Sequence, residues 1–220
     1  MLRITISDEM KKLCPNTVLG CIQGRVRIQK SSGELLQVIS DFCDRMRESM
    51  VVADISKQNN IRDTRKAYRS LGKDPTRYRS AAEALARRIL KGLDLYHINN
   101  IVEINNLISL KSLYPICAYD ISKIKGDIFF VRAKEGAVFH GIGRGELNIE
   151  YLPAFLDAQG YFGSTTSDSE RTKIEESTTE LLMIIVSFNG KEELVSHVKE
   201  MKDFMTTYAD AQDLEVQYVE

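Results

Sequence analysis

Apolar positions along the chain follow two periods. Leu35, Leu36, Ile39, Phe42, Cys43 and Met46 recur every three or four residues, the spacing of one helix face. Ser31-Ser32-Gly33 supplies cap chemistry just ahead of them, so a helix is predicted over residues 33–50. A second helix is predicted over 55–71, ended by Gly72 in the position of a C-cap. After the loop Lys73-Asp74-Pro75-Thr76, Ser80 caps a third helix over 81–91, with Glu83 completing a capping box and Gly92 closing it. Asn99 or Asn100 caps a fourth over 101–109. Short loops join these last three helices, which are expected to pack together.

Alternation replaces helical spacing elsewhere. Residues 1–7 and 17–28 read as strands, with a turn at 12–16 and with Gly20 and Gly24 as bulge sites. Residues 114–119 form a short apolar run, and Gly126-Asp127 punctuates it. Ile128-Phe129-Phe130-Val131 and, after Gly136, Ala137-Val138-Phe139-His140 read as strands, as do 151–156 and 181–187. Gly190 opens a helix over 192–208, and 214–219 forms a last strand. The expected class is α+β, a helical N-terminal part packed on a layered β core. A single domain over 1–220 is expected, with 1–60 an extension packed on its core.

Composition narrows the function classes. No apolar run approaches the roughly 20 residues that span a bilayer, and the N-terminus lacks the apolar segment of a secretory signal. A cytoplasmic protein with no membrane partner is expected. Cys14, Cys21, Cys43 and Cys117 match no metal or redox spacing, and His97, His140 and His197 join no cluster, so neither metal nor cofactor is expected. Charge is uneven. Residues 62–91 carry ten Lys/Arg against three Asp/Glu, and 146–220 carry sixteen acidic against five basic residues. That asymmetry suits one face for an anionic partner, though a solvated helix face explains it equally.

Four segments carry candidate chemistry. Gly141-Ile142-Gly143-Arg144-Gly145-Glu146 lacks phosphate-loop and dinucleotide spacing, so it reads as a tight turn or a loop whose backbone approaches a ligand. No other segment offers an ATP signature. His97 to Asn106 holds four asparagines and Glu103; capping explains Asn99 or Asn100, while Asn105 and Asn106 serve buried hydrogen bonds or a ligand. Ser164 to Thr172 gathers hydroxyls, carboxylates and a guanidinium, as a solvent loop or a polar site. Arg65-Lys66-Ala67-Tyr68-Arg69 and Arg77-Tyr78-Arg79 interleave aromatic with basic residues, as base-stacking proteins do, although Tyr68 also sits at core spacing with Leu71.

Taken in order, Tyr68 to Arg79, Ile101 to Asn106, Leu113 to Asp120, Lys125-Gly126-Asp127 and Ser167-Asp168-Ser169-Glu170-Arg171-Thr172 resemble the free-standing form of the editing (B3/4) domain of the phenylalanyl-tRNA synthetase beta subunit. In the synthetase that domain removes tyrosine attached to the tRNA by mistake. The resemblance implies a pocket between the Glu103–Asn106 helix, the Pro115–Cys117 strand, the Gly143 loop and the Glu170 segment. Glu103, Asn106, Pro115, Cys117, Gly143, Glu170, Arg171 and Thr172 are then substrate-binding candidates. Glu170 stands where the family has an acidic residue that reads the wrong amino acid's polar group, and is the candidate for positioning substrate. Arg69, Lys73, Arg77, Arg79, Arg87 and Arg88 are the RNA-binding candidates. The implied partner is tRNA or aminoacyl-tRNA, with a free amino acid as the other ligand. Cys117 replaces a histidine of the synthetase, and the family's later threonine and alanine pocket residues have no counterpart here, so the amino acid is left open. A Cys117 nucleophile is the minor alternative.

Overall fold

The computed structural model describes residues 1–220. Strand β9 (Glu180–Ser187) shows how the layers arise. Its Leu181, Met183 and Ile185 enter a core with Ile39, Ile104 and Met201, whereas Leu182, Ile184 and Val186 enter a second core with Ile128, Phe130 and Phe155. Side chains of a strand alternate between faces, so an apolar run without polar interruption must be covered on both.

The sheet around β9 has the order β10 (Gln212–Val219), β2 (Val18–Arg25), β9 and β3 (Ile116–Asp120), all antiparallel. One face carries helices α2 (Gly33–Ser49), α4 (Ala81–Leu90), α5 (Asn100–Ser112) and α6 (Leu194–Tyr208). The other face meets a second sheet, ordered β1 (Ile4–Ile6), β4 (Ile128–Arg132), β7 (Pro153–Asp157) and β8 (Gly160–Ser164). A hairpin of β5 (Val138–Gly141) and β6 (Gly145–Asn148) projects beside the second sheet. The layers are therefore helix, sheet and sheet, an α+β fold.

Several local expectations change. Within residues 1–60, β2 lies inside a sheet, hydrogen-bonded to β9 and β10, and β1 pairs parallel with β4. Helix α1 (Asp8–Leu13), capped by Ser7, fills a stretch where only a turn at 12–16 was expected. The helix expected over 55–71 is broken. A 3-10 turn (Val52–Lys57) precedes α3 (Asn59–Ser70), because Gln58 between them takes an extended conformation with ψ of 134°. Gly20 is not a bulge: a Cβ there would meet Leu194 and Val198, so it lets α6 lie close on β2. The irregularity falls on β10, between Gln212 and Glu215 and opposite Gly24.

Ser80 accepts from the Glu83 amide, but the Glu83 carboxylate does not complete the capping box. It is fully buried and faces Arg65, Arg87 and Arg79 at 3.3, 2.9 and 3.8 Å. That cluster ties α3 to α4 and leaves a surplus of positive charge on their surface. Asn99 is the α5 cap, accepting from Val102. Asn100 instead binds the chain across layers: its oxygen accepts from Gln29 N, and its amide donates to Arg27 O and Tyr208 O.

Candidate functional site

Strand β3 is an edge of its sheet, and its open side borders a cavity of about 410 Å³. Leu85 of α4, Val102 of α5 and Ile116 of β3 supply an apolar wall, joined by Ile98, Ile142 and Ile174. Asn105 and Asn106 of α5, Ser164, Thr166, Ser167, Asp168, Lys173 and Arg144 supply the polar groups. The asparagines are explained by this position: α5 turns both toward the cavity while Ile101, Ile104, Leu107 and Ile108 enter the core.

The polar run after β8 is an ordered loop. Ser164 Oγ accepts from the amides of Thr166 and Ser167, and bridges tie Gly163 to Asp168 and Gly141 to Ser169. Asp168 is thereby set beside β3, where the Tyr119 hydroxyl donates to its Oδ1 at 2.8 Å. Burial pushes the Asp168 carboxyl up to about 7, partly offset by that hydrogen bond. Gly163 is required for the arrangement, since a Cβ there would collide with the Tyr119 ring and hydroxyl.

A second hollow of about 520 Å³ adjoins the first. Arg77, Arg79, Arg87, Arg88, Lys91 and Arg144 line it together with Tyr78, and no acidic residue does. Ala84, Arg144, Ser164, Thr166 and Ser167 belong to both walls, so a basic cleft opens directly onto an apolar cavity. Arg144 stands at their junction, on the β5–β6 turn, and forms no ion pair. Gly143 and Gly145 have φ of 65° and 70°, which accounts for glycine in that turn.

The predicted site residues are distributed as follows. Asn106 lines the cavity, and Arg77, Arg79, Arg87 and Arg88 line the cleft. Glu170 lies at the rim, where Oε1 accepts from Gly143 N at 2.8 Å and Oε2 meets Lys173 Nζ at 2.8 Å. Lys173 and the Gly143 amide hold its carboxyl below the usual range. Glu170 thus fastens the Gly143 loop and a cavity-lining lysine. Besides Gly143 and Glu170 at the rim, five candidates are not in the lining. Glu103 is buried and accepts from Ile98 N, and it does not reach the cavity that Asn106 lines. Pro115 is a buried strand neighbour whose carbonyl accepts from Val186 N. Arg171 grips Asp157 through both terminal nitrogens, at 2.9 and 2.8 Å. Thr172 is buried and donates to Phe162 O. Cys117 is sealed in the core between the sheets, and burial raises its thiol well above the ordinary range, which removes the thiolate a nucleophile needs.

Two RNA candidates also differ from the rest. Arg69 is exposed but outside the cleft, and Lys73 is buried with its ammonium 4.0 Å over the Tyr78 ring. Tyr68 is core, its hydroxyl sharing a 2.6 Å hydrogen bond with Thr165, so it presents no stacking face. The sequence left Asn105 between a buried hydrogen bond and a ligand contact, and did not single out Asp168, Arg144 or Lys173. The first three lay inside quoted motifs, but which side chains of a polar run face inward is not a one-dimensional property.

The sequence profile of the B3/4 domain matches residues 63–202. The chain belongs to the B3/4 domain family. Among solved structures, this B3/4 protein is similar to an N-terminal fragment of the phenylalanyl-tRNA synthetase beta subunit from Pyrococcus horikoshii, with a TM-score of 0.47 and 10% sequence identity. The similarity covers 99% of this chain and 50% of that one, so the B3/4 protein spans about half the length of the fragment. No curated protein matches it significantly in sequence. The family match begins after β2 and ends before β10, although both strands belong to the sheet that it shares with β9 and β3. No helix is long and apolar enough to cross a membrane.

Proposed function

We propose that this B3/4 protein hydrolyses the ester of a mischarged aminoacyl-tRNA in trans. The observation that carries the reading is the shared wall between a cleft lined by six cations and no acid and an apolar cavity of about 410 Å³. An aminoacylated tRNA end has matching parts, a polyanionic backbone ending in one amino acid. Arg77, Arg79, Arg87, Arg88 and Lys91 would take phosphates, Tyr78 offers a ring to a base, and Arg144 would stand at the ester. Arg69 and Lys73 remain candidates for the approach to the cleft.

The chemistry asks little of the protein. An aminoacyl ester is already reactive, so holding it against an ordered water and excluding bulk solvent supplies much of the rate. Selection follows from Asn106 and its neighbours, because a ligand without matching groups leaves buried polar atoms unpaired. Glu170 serves by holding the Gly143 turn and Lys173 in place.

One observation favours a second reading, a binding module for tRNA or a free amino acid without turnover. None of the three histidines lines the cavity, and the Cys117 thiol is enclosed. Incubation with a panel of mischarged tRNAs separates the two. Release of the amino acid above background for at least one pair is expected. Absence of release for every pair, with folded protein and saturable tRNA binding, would leave the binding reading. In either case tRNA affinity should fall steeply with salt, and Arg144→Ala should lessen the slope of log affinity against log salt by about one.

A further inference from the structure

We infer that the cavity seats a free α-ammonium group between Asp168 and Asn105, so that its occupant is an amino acid ester with an unblocked amine and an apolar side chain. The inference rests on the reading above and names the substrate class of the same site.

Two hydrogen-bond acceptors at the cavity lack donors. Asp168 accepts one hydrogen bond, from Tyr119 to Oδ1, and no group donates to its other oxygen. The amide oxygen of Asn105 is buried with no partner at all. An ordinary interior leaves few atoms like the Asn105 oxygen, because each forfeits its hydration without compensation; Asp168 is half-buried, so its second oxygen is unpaired by the protein but not sealed from solvent. A carboxylate and an amide oxygen together call for a ligand with several donors and a positive charge. An ammonium group has three donors and no acceptor.

The charged groups around Asp168 do not already fill that role. Tyr119 and Cys117 approach from β3 and carry no positive charge. Lys173 also lines the cavity, but its ammonium is engaged by Glu170 at 2.8 Å and lies 3.7 Å from Glu175. Arg144 lies toward the basic cleft, and neither cation forms an ion pair with Asp168. Asp168 is the only carboxylate in the lining. Its carboxyl, raised to about 7 by burial, is stabilised in the charged form when a cation arrives. The rest of the ligand is set by Leu85, Ile98, Val102, Ile116, Ile142 and Ile174, which offer a side chain only dispersion and burial.

The test compares methyl esters of leucine, methionine, phenylalanine and tyrosine with their N-acetyl forms, by calorimetric titration of the full chain. At least one free-amine ester should bind saturably, about tenfold or more tighter than its N-acetyl counterpart. Asp168→Asn, which keeps the acceptor for Tyr119, should erase that difference, and Asn105→Leu should reduce it. Binding of the amine should strengthen from about pH 5.5 to about pH 7 as Asp168 ionises. Equal or tighter binding of the N-acetyl forms, no binding of any ester, or an unchanged preference in a folded Asp168→Asn variant would overturn the inference. Hydrolysis is read separately. If N-acetylated and free aminoacyl-tRNAs are cleaved equally, the ammonium seat fails and the deacylase reading stands. If esters show the amine preference but no tRNA is cleaved, the seat stands and the deacylase reading fails.

Discussion

Arg171 ties the Glu170 segment to the turn between β7 and β8. Its guanidinium donates to both oxygens of Asp157, whose side chain is out of water, and also to Lys123 O and Gly160 O. The same Asp157 accepts from the amides of Lys125 and Gln159. Arg171→Ala would strand this buried carboxylate. Because Arg171 keeps about a quarter of its side chain in water, a loss near the lower end of the range for a broken buried pair is expected, about 3 kcal/mol by urea denaturation. A ligand-contacting arginine would instead change binding and leave the denaturation midpoint in place. Asp168 makes a prediction of opposite sign to most carboxylates. Its folded-state value lies near 7, above that of an unfolded aspartate, so between those values the folded state binds more protons than the unfolded one. Its contribution to stability is therefore fully present at low pH and is lost as pH rises through about 7. Thermal midpoints of Asp168→Asn should decline less between about pH 5 and about pH 8 than those of the unaltered chain. Equal slopes would show that Asp168 ionises normally.

At the scale of elements, α5 separates capping from cross-layer bonding. The periodicity leaves Asn99 and Asn100 as equal cap candidates, and only the fold distinguishes them. Asn99→Ala removes one local acceptor and should cost about 1 kcal/mol. Asn100→Ala leaves Gln29 N, Arg27 O and Tyr208 O without partners, and should cost distinctly more, about 2–3 kcal/mol. Urea titration of the two variants decides the order, and a reversal would mean that water replaces the lost bonds. Long periodic elements such as α2, α6 and β9 were readable from the chain because most of their apolar positions meet one surface, or in β9 two. The glycine-flanked β6 and β8 were not, since four or five residues carry too little pattern, and strand propensity there depends on neighbours. The helix expected over 55–71 begins only at Asn59 for a local reason: one extended residue, Gln58, separates it from the preceding 3-10 turn.

At the scale of the molecule, the N-terminal residues are structural members. β2 supplies Val18 and Ile22 to the helical core and Leu19 and Cys21 to the core between sheets. A chain beginning at residue 61 would expose one edge each of β9 and β10 and open both cores. It should show no cooperative unfolding transition by circular dichroism and should be cleaved rapidly by protease. A stable, cooperatively folding 61–220 fragment would contradict this.

The sequence alone determined the α+β class, most of the long elements and the motifs from which family membership could be read, because these depend on local periodicity and ordered residue types. It also placed the basic stretch that became the cleft. Which side chains face the cavity was decided by tertiary structure. Glu103, Arg171 and Thr172 were absorbed into internal contacts, while Asp168, Asn105 and Arg144 were turned toward the cavity. The physical reason is that a polar residue within a motif acquires its role from what lies across from it. For Asp168 that is Tyr119 on a strand 49 residues earlier in the chain.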